Sequence, residues 1–194
     1  ASTMIRAQHP VFGTRPFEVK NIADLGDVGP NPADIQDSMN RITEYYETVM
    51  SADIKPLTVG GDHLVSLPVL RAVANKGPVG MVHFDSHTDL FNSYFNGTKY
   101  THGTPFRRAV EENLLDPKRV VQIGIRGTQY DSEDVDFAMS VGIRIIRIEE
   151  FFDRNLSDLM QEVREIVGDQ ETYVSYDIDF VDPTFAPGTG TPEV

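Results

Sequence analysis

Val79-Gly80-Met81-Val82-His83-Phe84, a short apolar run after the breaker Gly77-Pro78, leads without interruption into Asp85-Ser86-His87-Thr88-Asp89. The run is short and apolar enough for a strand buried on both faces, as the central strands of parallel sheets are. In an extended stretch, residues two apart point the same way, so Asp85, His87 and Asp89 can converge on one point. A buried strand that ends in such a cluster predicts an α/β sheet with its chemistry at the carboxyl strand ends.

The same pattern extends in both directions. Upstream, residues 32–52 carry Ile35, Met39, Ile42, Tyr45, Tyr46, Val49 and Met50 at spacings of three and four, an amphipathic helix with a proline at its start. The apolar run Pro56-Leu57-Thr58-Val59 reads as a strand ending in Gly60-Gly61, and residues 64–74 read as helix. Downstream, helices are expected near 105–115, 132–140 and 156–167, and strands at 120–125, 143–148 and 172–178. Strands alternating with helices imply βαβ units. The expected architecture is a three-layer αβα sandwich around a mainly parallel sheet, one domain over residues 1–194, with no internal repeat.

Polar residues collect at the predicted strand ends. Gly60-Gly61-Asp62-His63, the Asp85–Asp89 segment, Arg126-Gly127 and Asp177-Ile178-Asp179 all fall there. His63, Asp85, His87, Asp89, Asp177 and Asp179 are six candidate metal ligands from three strand ends. That is too many for one catalytic ion with an open position, and it suits two ions sharing bridging carboxylates. There is no Cys in the 194 residues, so any metal is held by oxygen and imidazole, a set that favours manganese, with nickel, cobalt or zinc also possible. Four carboxylates balance two divalent ions, and a bridging hydroxide leaves one negative charge to meet a cationic substrate such as a guanidinium. His83, inside the apolar run, reads as a packed core side chain rather than a ligand. Asp62 reads as a helix cap or a partner of His63, Asp182 as a turn former, and Arg126 as structural ahead of a partner for a substrate carboxylate or an acidic neighbour in the next subunit.

Composition excludes other classes. With 17 Lys+Arg against 30 Asp+Glu the formal charge is −13, which repels phosphate backbones and predicts no nucleic-acid partner. No apolar run approaches the roughly 18 residues that span a bilayer, and Ala1-Ser2-Thr3-Met4-Ile5-Arg6 lacks the pattern of a signal peptide. A cytoplasmic protein without a membrane partner is the expectation.

Taken in order, Gly60-Gly61-Asp62-His63, Phe84-Asp85-Ser86-His87-Thr88-Asp89, His102-Gly103-Thr104-Pro105-Phe106-Arg107-Arg108 and Ser175-Tyr176-Asp177-Ile178-Asp179-Phe180-Val181-Asp182-Pro183 resemble the motifs of the arginase/agmatinase (ureohydrolase) family, with agmatinase and guanidinobutyrase types nearest. The run Phe185–Glu193 and the segments Asn21–Asp27 and Val121–Gly127 extend the likeness over nearly the whole chain.

The resemblance implies two manganese ions, one held by His63, Asp85, Asp89 and Asp177, the other by His87, Asp85, Asp177 and Asp179. Asp85 and Asp177 would bridge. It implies attack of a bridging hydroxide on the guanidinium carbon, collapse to urea and an amine, proton relay by Asp89, and a proton-shuttling or substrate-positioning role for His102. Arginases carry an Asn two residues after the last Asp of the second motif, where this chain has Phe91, so agmatine or a guanidino acid such as 4-guanidinobutyrate is the expected substrate. A trimer or hexamer is also implied. Family members begin with a strand upstream of Met4-Ile5-Arg6-Ala7-Gln8 and continue past the Thr-Pro-Glu run to a Glu that clamps the guanidinium. On that comparison the chain is expected to be partial at both ends, with Glu193 not that clamp. The alternatives are an arginase, a mononuclear zinc deacetylase of the same general fold, and a non-catalytic metal-binding partner subunit.

Overall fold

A computed structural model describes residues 7–194, so Ala1–Arg6 and the start of the Arg-containing segment lie outside the described residues. The described chain forms α1 (Pro16–Val19), α2 (Ile35–Ser51), a 3-10 turn at His63–Val65, α3 (Ser66–Val73), β1 (Val79–Phe84), α4 (Pro105–Glu111), β2 (Leu115–Ile125), α5 (Glu133–Val141), β3 (Arg144–Arg147), α6 (Ile148–Asp153), α7 (Leu156–Val167) and β4 (Thr172–Tyr176). The four strands lie in the order β3-β2-β1-β4 and every pair is parallel. β1 is central, as its apolar run predicts.

Strand alternation divides the core into two layers. Val79 and Met81 face Leu67 and Leu70 of α3, Phe106 and Ala109 of α4 and Ala138 of α5. Val82, with Val121 and Ile123 of β2, faces Leu159, Val163 and Val167 of α7. The three-layer α/β arrangement is therefore as expected, and it puts His83, Gln122 and Ser175, which are register partners, on the first of these faces.

Four elements depart from the sequence reading, the first being β2, which begins at Leu115, where the sequence predicts the end of a helix, rather than at 120. Residues 56–59 form no strand, and Leu57 and Val59 are 94% exposed. A strand requires a neighbour for its ladder, and none of the described residues supplies one beside this run. The strand expected at 143–148 stops at Arg147, where α6 begins. The last strand ends at Tyr176, and Ile178–Phe180 close into a 3-10 turn with the Asp177 carboxylate accepting from the Asp179 N–H.

α6 and α7 are tied to β3 by charge. Glu150 and Glu162 pair with Arg144 and Arg154, and those contacts hold both carboxyls below their ordinary range, against a smaller opposing effect of burial. A depressed carboxyl contributes stability above its ordinary pKa and loses it as pH falls through the depressed value. Glu162→Gln is therefore expected to lower the melting temperature at pH 7 by about 1–4 °C, as a partly exposed network allows. The difference should close as the pH falls below about 4. Thermal unfolding of both proteins at the two pH values checks this, and a difference that does not change with pH would count against it.

Candidate metal centre

Each of the predicted ligands lies at or just past a strand end, or, for His63, in the turn before α3. The Asp62 carboxylate accepts from the Leu64 N–H at 3.0 Å, which starts the 3-10 turn and fixes the entry of His63. That is the capping role read from the sequence. His63 Nε2 pairs with Ser175 Oγ of β4 at 2.9 Å, leaving Nδ1 aimed inward. Around Nδ1 lie Asp89 Oδ2 at 2.8 Å, Asp177 Oδ2 at 3.1 Å and Asp85 Oδ2 at 3.2 Å. Nδ1 is buried, yet no oxygen is aligned with it for a hydrogen bond. Carboxylate oxygens crowded around a ring nitrogen with none aligned for a hydrogen bond are arranged as the donors of a cation are.

A second group adjoins the first. His87 Nδ1 is 3.0 Å from Asp179 Oδ2 and 3.6 Å from Asp85 Oδ1. Asp179 is fixed from several sides: its Oδ1 accepts from the Ser86 N–H and hydroxyl, and its Oδ2 from the Thr191 hydroxyl. Asp85, His87 and Asp179 offer donor atoms within 4.8 Å of one another, and so do His63, His83 and Asp85. Asp85 belongs to both groups. The His/Asp cluster is thus a binuclear metal-binding site, and the chemistry of its donors fits two divalent ions.

Electrostatics agree with that fit. Burial alone would push the His63 imidazole down, but the Asp89 charge and the nearness of Asp177 and Asp85 hold it well above its ordinary value. His87 is likewise raised against burial by Asp179 and Asp85, to about 11. Burial and the Asp85 charge push Asp89 up, with His63 opposing. Burial works against the ionised form of Asp85 as well, yet His83, His63 and His87 hold that carboxyl well below the usual range. Two imidazoles that hold protons this firmly mark a cluster of carboxylates that demands positive charge.

Neighbouring residues complete the setting. The Arg126 guanidinium donates to the carbonyls of Gly124, Asp179, Phe180 and Glu193, a structural clamp across the site. Arg108, buried in α4, donates to the Asn92 carbonyl at 2.8 Å and so ties the Phe91–Tyr100 segment to the helix. The Phe91 ring packs 5.6 Å from that of Tyr94. His102 packs against Tyr94 at 5.4 Å and Phe95 at 6.0 Å, on the rim rather than among the six clustered side chains.

Sequence reasoning missed three participants. His83 is fully buried as expected, but with polar partners on both ring nitrogens. Glu193 Oε1 lies 3.4 Å from His87 Nε2 and accepts from the Thr128 N–H at 3.0 Å. Gly127 leaves no room for a side chain, since a Cβ there would meet the His87 ring at 2.4 Å and the Ser86 carbonyl oxygen at 3.0 Å. Gly127→Ala is accordingly expected to displace the imidazole and weaken the ion at His87 by at least the roughly 10–100-fold that losing an orienting partner costs. Elemental analysis after dialysis against graded manganese would show it, and unchanged uptake would refute it.

Among the described residues, no helix is long and apolar enough to cross a membrane.

A family model described as the arginase family matches residues 1–194. The chain is 51% identical to the guanidinopropionase of Pseudomonas aeruginosa over 193 residues, which is 100% of this chain and 61% of that protein. It is 47% identical to the guanidinobutyrase of the same organism over 194 residues, 100% of this chain and 60% of that protein. The solved structure of proclavaminate amidino hydrolase from Streptomyces clavuligerus superposes with a TM-score of 0.91 at 38% identity, covering 98% of this chain and 63% of that one. The chain thus spans about three fifths of the length of the relatives it matches.

Proposed function

Because this chain belongs to the arginase family, we propose that it carries the two-manganese centre of a hydrolase that cleaves an ω-guanidino acid to urea and an amino acid. The observation that carries the reading is the pair of donor groups meeting at Asp85. His63, Asp85, Asp89 and Asp177 would hold one ion, and His87, Asp85, Asp177 and Asp179 the other. Two such ions supply Lewis acidity and lower the pKa of water from about 15.7 towards 7, so that hydroxide forms at neutral pH.

The chain's own residues provide orientation and proton transfer. Ser175 holds the His63 ring, Asp62 caps the turn that carries it, and Ser86 and Thr191 fix Asp179. Asp89, nearly enclosed beside His63, would take a proton from the attacking water and return it to the leaving nitrogen. His102, on the aromatic rim, is placed to guide substrate or exchange protons with solvent.

Substrate choice rests on Phe91 and on the relatives. The Phe91 ring offers no hydrogen bond to the α-amino acid head of arginine, and a buried polar head without a partner is strongly disfavoured. Guanidinopropionase and guanidinobutyrase are named for ω-guanidino acids, which carry no α-amino group. Urea release by the intact, manganese-loaded protein from 3-guanidinopropionate, 4-guanidinobutyrate, agmatine and arginine tests the reading. A preference for one of the two acids over arginine of about tenfold or more in kcat/KM is expected. Preference for arginine would defeat the substrate assignment, and no urea from any guanidine would defeat the function.

A further inference from the structure

His83 and Gln122 are register partners on β1 and β2, face the same side of the sheet, and are both fully buried. His83 Nε2 lies 2.7 Å from Asp85 Oδ2, and its Nδ1 lies 3.0 Å from Gln122 Nε2. The same Gln122 Nε2 lies 2.6 Å from the Thr88 carbonyl oxygen. A carbonyl oxygen only accepts, so the atom facing it must be the amide nitrogen, which only donates. The second amide hydrogen then goes to His83 Nδ1. That nitrogen accepts, and the ring donates from Nε2 to Asp85. The amide orientation leaves Gln122 Oε1 without a partner in the core, so it is dictated by the nitrogen end alone.

The consequence falls on Asp85. Its Oδ2 accepts from His83, and its Oδ1 from the His87 backbone N–H at 2.6 Å. A carboxylate offers about four lone-pair sites, two on each oxygen. The protein occupies one site on each oxygen and leaves one on each. A carboxylate so held presents one oxygen to either side, which is what a bridge between two cations requires.

We propose that His83, locked by Gln122 as the tautomer that donates from Nε2, is a positioning residue that sets Asp85 as the bridge and does not itself bind metal. The inference rests on the two-ion reading of the cluster. A nitrogen that carries a hydrogen has no lone pair for an ion, so the closeness of His83 to His63 and Asp85 reflects support of a ligand rather than ligation.

Manganese titration of the intact protein with elemental counting, combined with 15N spectra of the metal-free protein labelled at histidine, tests the proposal. His83→Gln keeps a donor that reaches Asp85, and it should bind two ions within a few-fold of the unaltered affinity. His83→Phe keeps the shape without the donor, and it should still bind two ions at saturation but about 10–100-fold more weakly. In the unaltered protein the His83 signals should show hydrogen on Nε2 and none on Nδ1. If His83→Phe drops to one ion, His83 is a ligand and the proposal is overturned. Equal affinities of the Phe and Gln variants, or a bare Nε2 in the spectra, would also overturn it. Uptake of only one ion by the unaltered protein would instead sink the two-ion reading.

Discussion

Asp85→Asn is expected to abolish stable loading of both ions and to reduce urea release from the intact protein by more than about a thousandfold. Loss of an outer partner of a ligand costs roughly 10–100-fold, and here a shared ligand itself is altered. An amide is nearly isosteric with the carboxylate, so the backbone of β1 has no steric reason to move. The electronics differ at both oxygens. Asp85 faces two donors, the His83 Nε2–H and the His87 N–H. An Asn can accept from only one of them and must turn its NH2 towards the other, leaving two hydrogens opposed in a site that is 1% exposed. The NH2 also has no lone pair for an ion, so one donor group loses its shared member. The other loses a full negative charge. A metal count near zero with an unchanged circular dichroism spectrum is the expected result, and retention of two ions would mean that Asp85 is not the bridge.

The Asp85–Asp89 segment was legible in the sequence because a central strand has one reading. An apolar run of six residues is buried on both sides, and its carboxyl end is where a parallel sheet binds ligands. The extended alternation expected beyond it does not hold: the chain bends after Phe84, the Asp85 carboxylate accepts from the His87 N–H, and Asp89 sits at φ 53°. The αβ order was legible for the same reason, and α7 spans the predicted residues. Other features depend on which strands become neighbours, and one-dimensional periodicity carries no such information. Pro56–Val59 has strand composition but no ladder partner among the described residues. His83 looked like core because the strand around it is apolar. Its partners Gln122 and Asp85 appear only once β1 and β2 are in register. Gly127 and Glu193 meet His87 across 40 and 106 residues of sequence, through a fold that Arg126 clamps at four carbonyls. Composition could not separate His102, on the rim, from the clustered histidines; only the motif did so.

Manganese affinity is expected to rise steeply with pH, by about tenfold per pH unit for each proton that an ion displaces. In the metal-free protein His63 is held well above its ordinary pKa, and His87 is raised to about 11. A group raised in the folded state contributes stability that is fully present below its unfolded pKa, near 6.5, and is lost as pH rises through the folded value. The metal-free cluster is thus stabilised by imidazole protons at pH 6.5 and progressively less so towards pH 11. An ion needs the lone pairs those protons occupy, so loading releases them, and the balance favours metal more strongly as the proton concentration falls. Between pH 6.5 and 8.5 the ion at His87 should gain about a hundredfold in affinity. The heat of binding should vary with buffer ionisation enthalpy in proportion to about one proton per ion. A chelated sample should become easier to unfold over the upper part of this range, while the loaded protein gains protection from the tighter binding. Affinity that stays constant across those two pH units would show that His87 binds no ion, because Asp85 and Asp177 are held below their ordinary range and release no proton there.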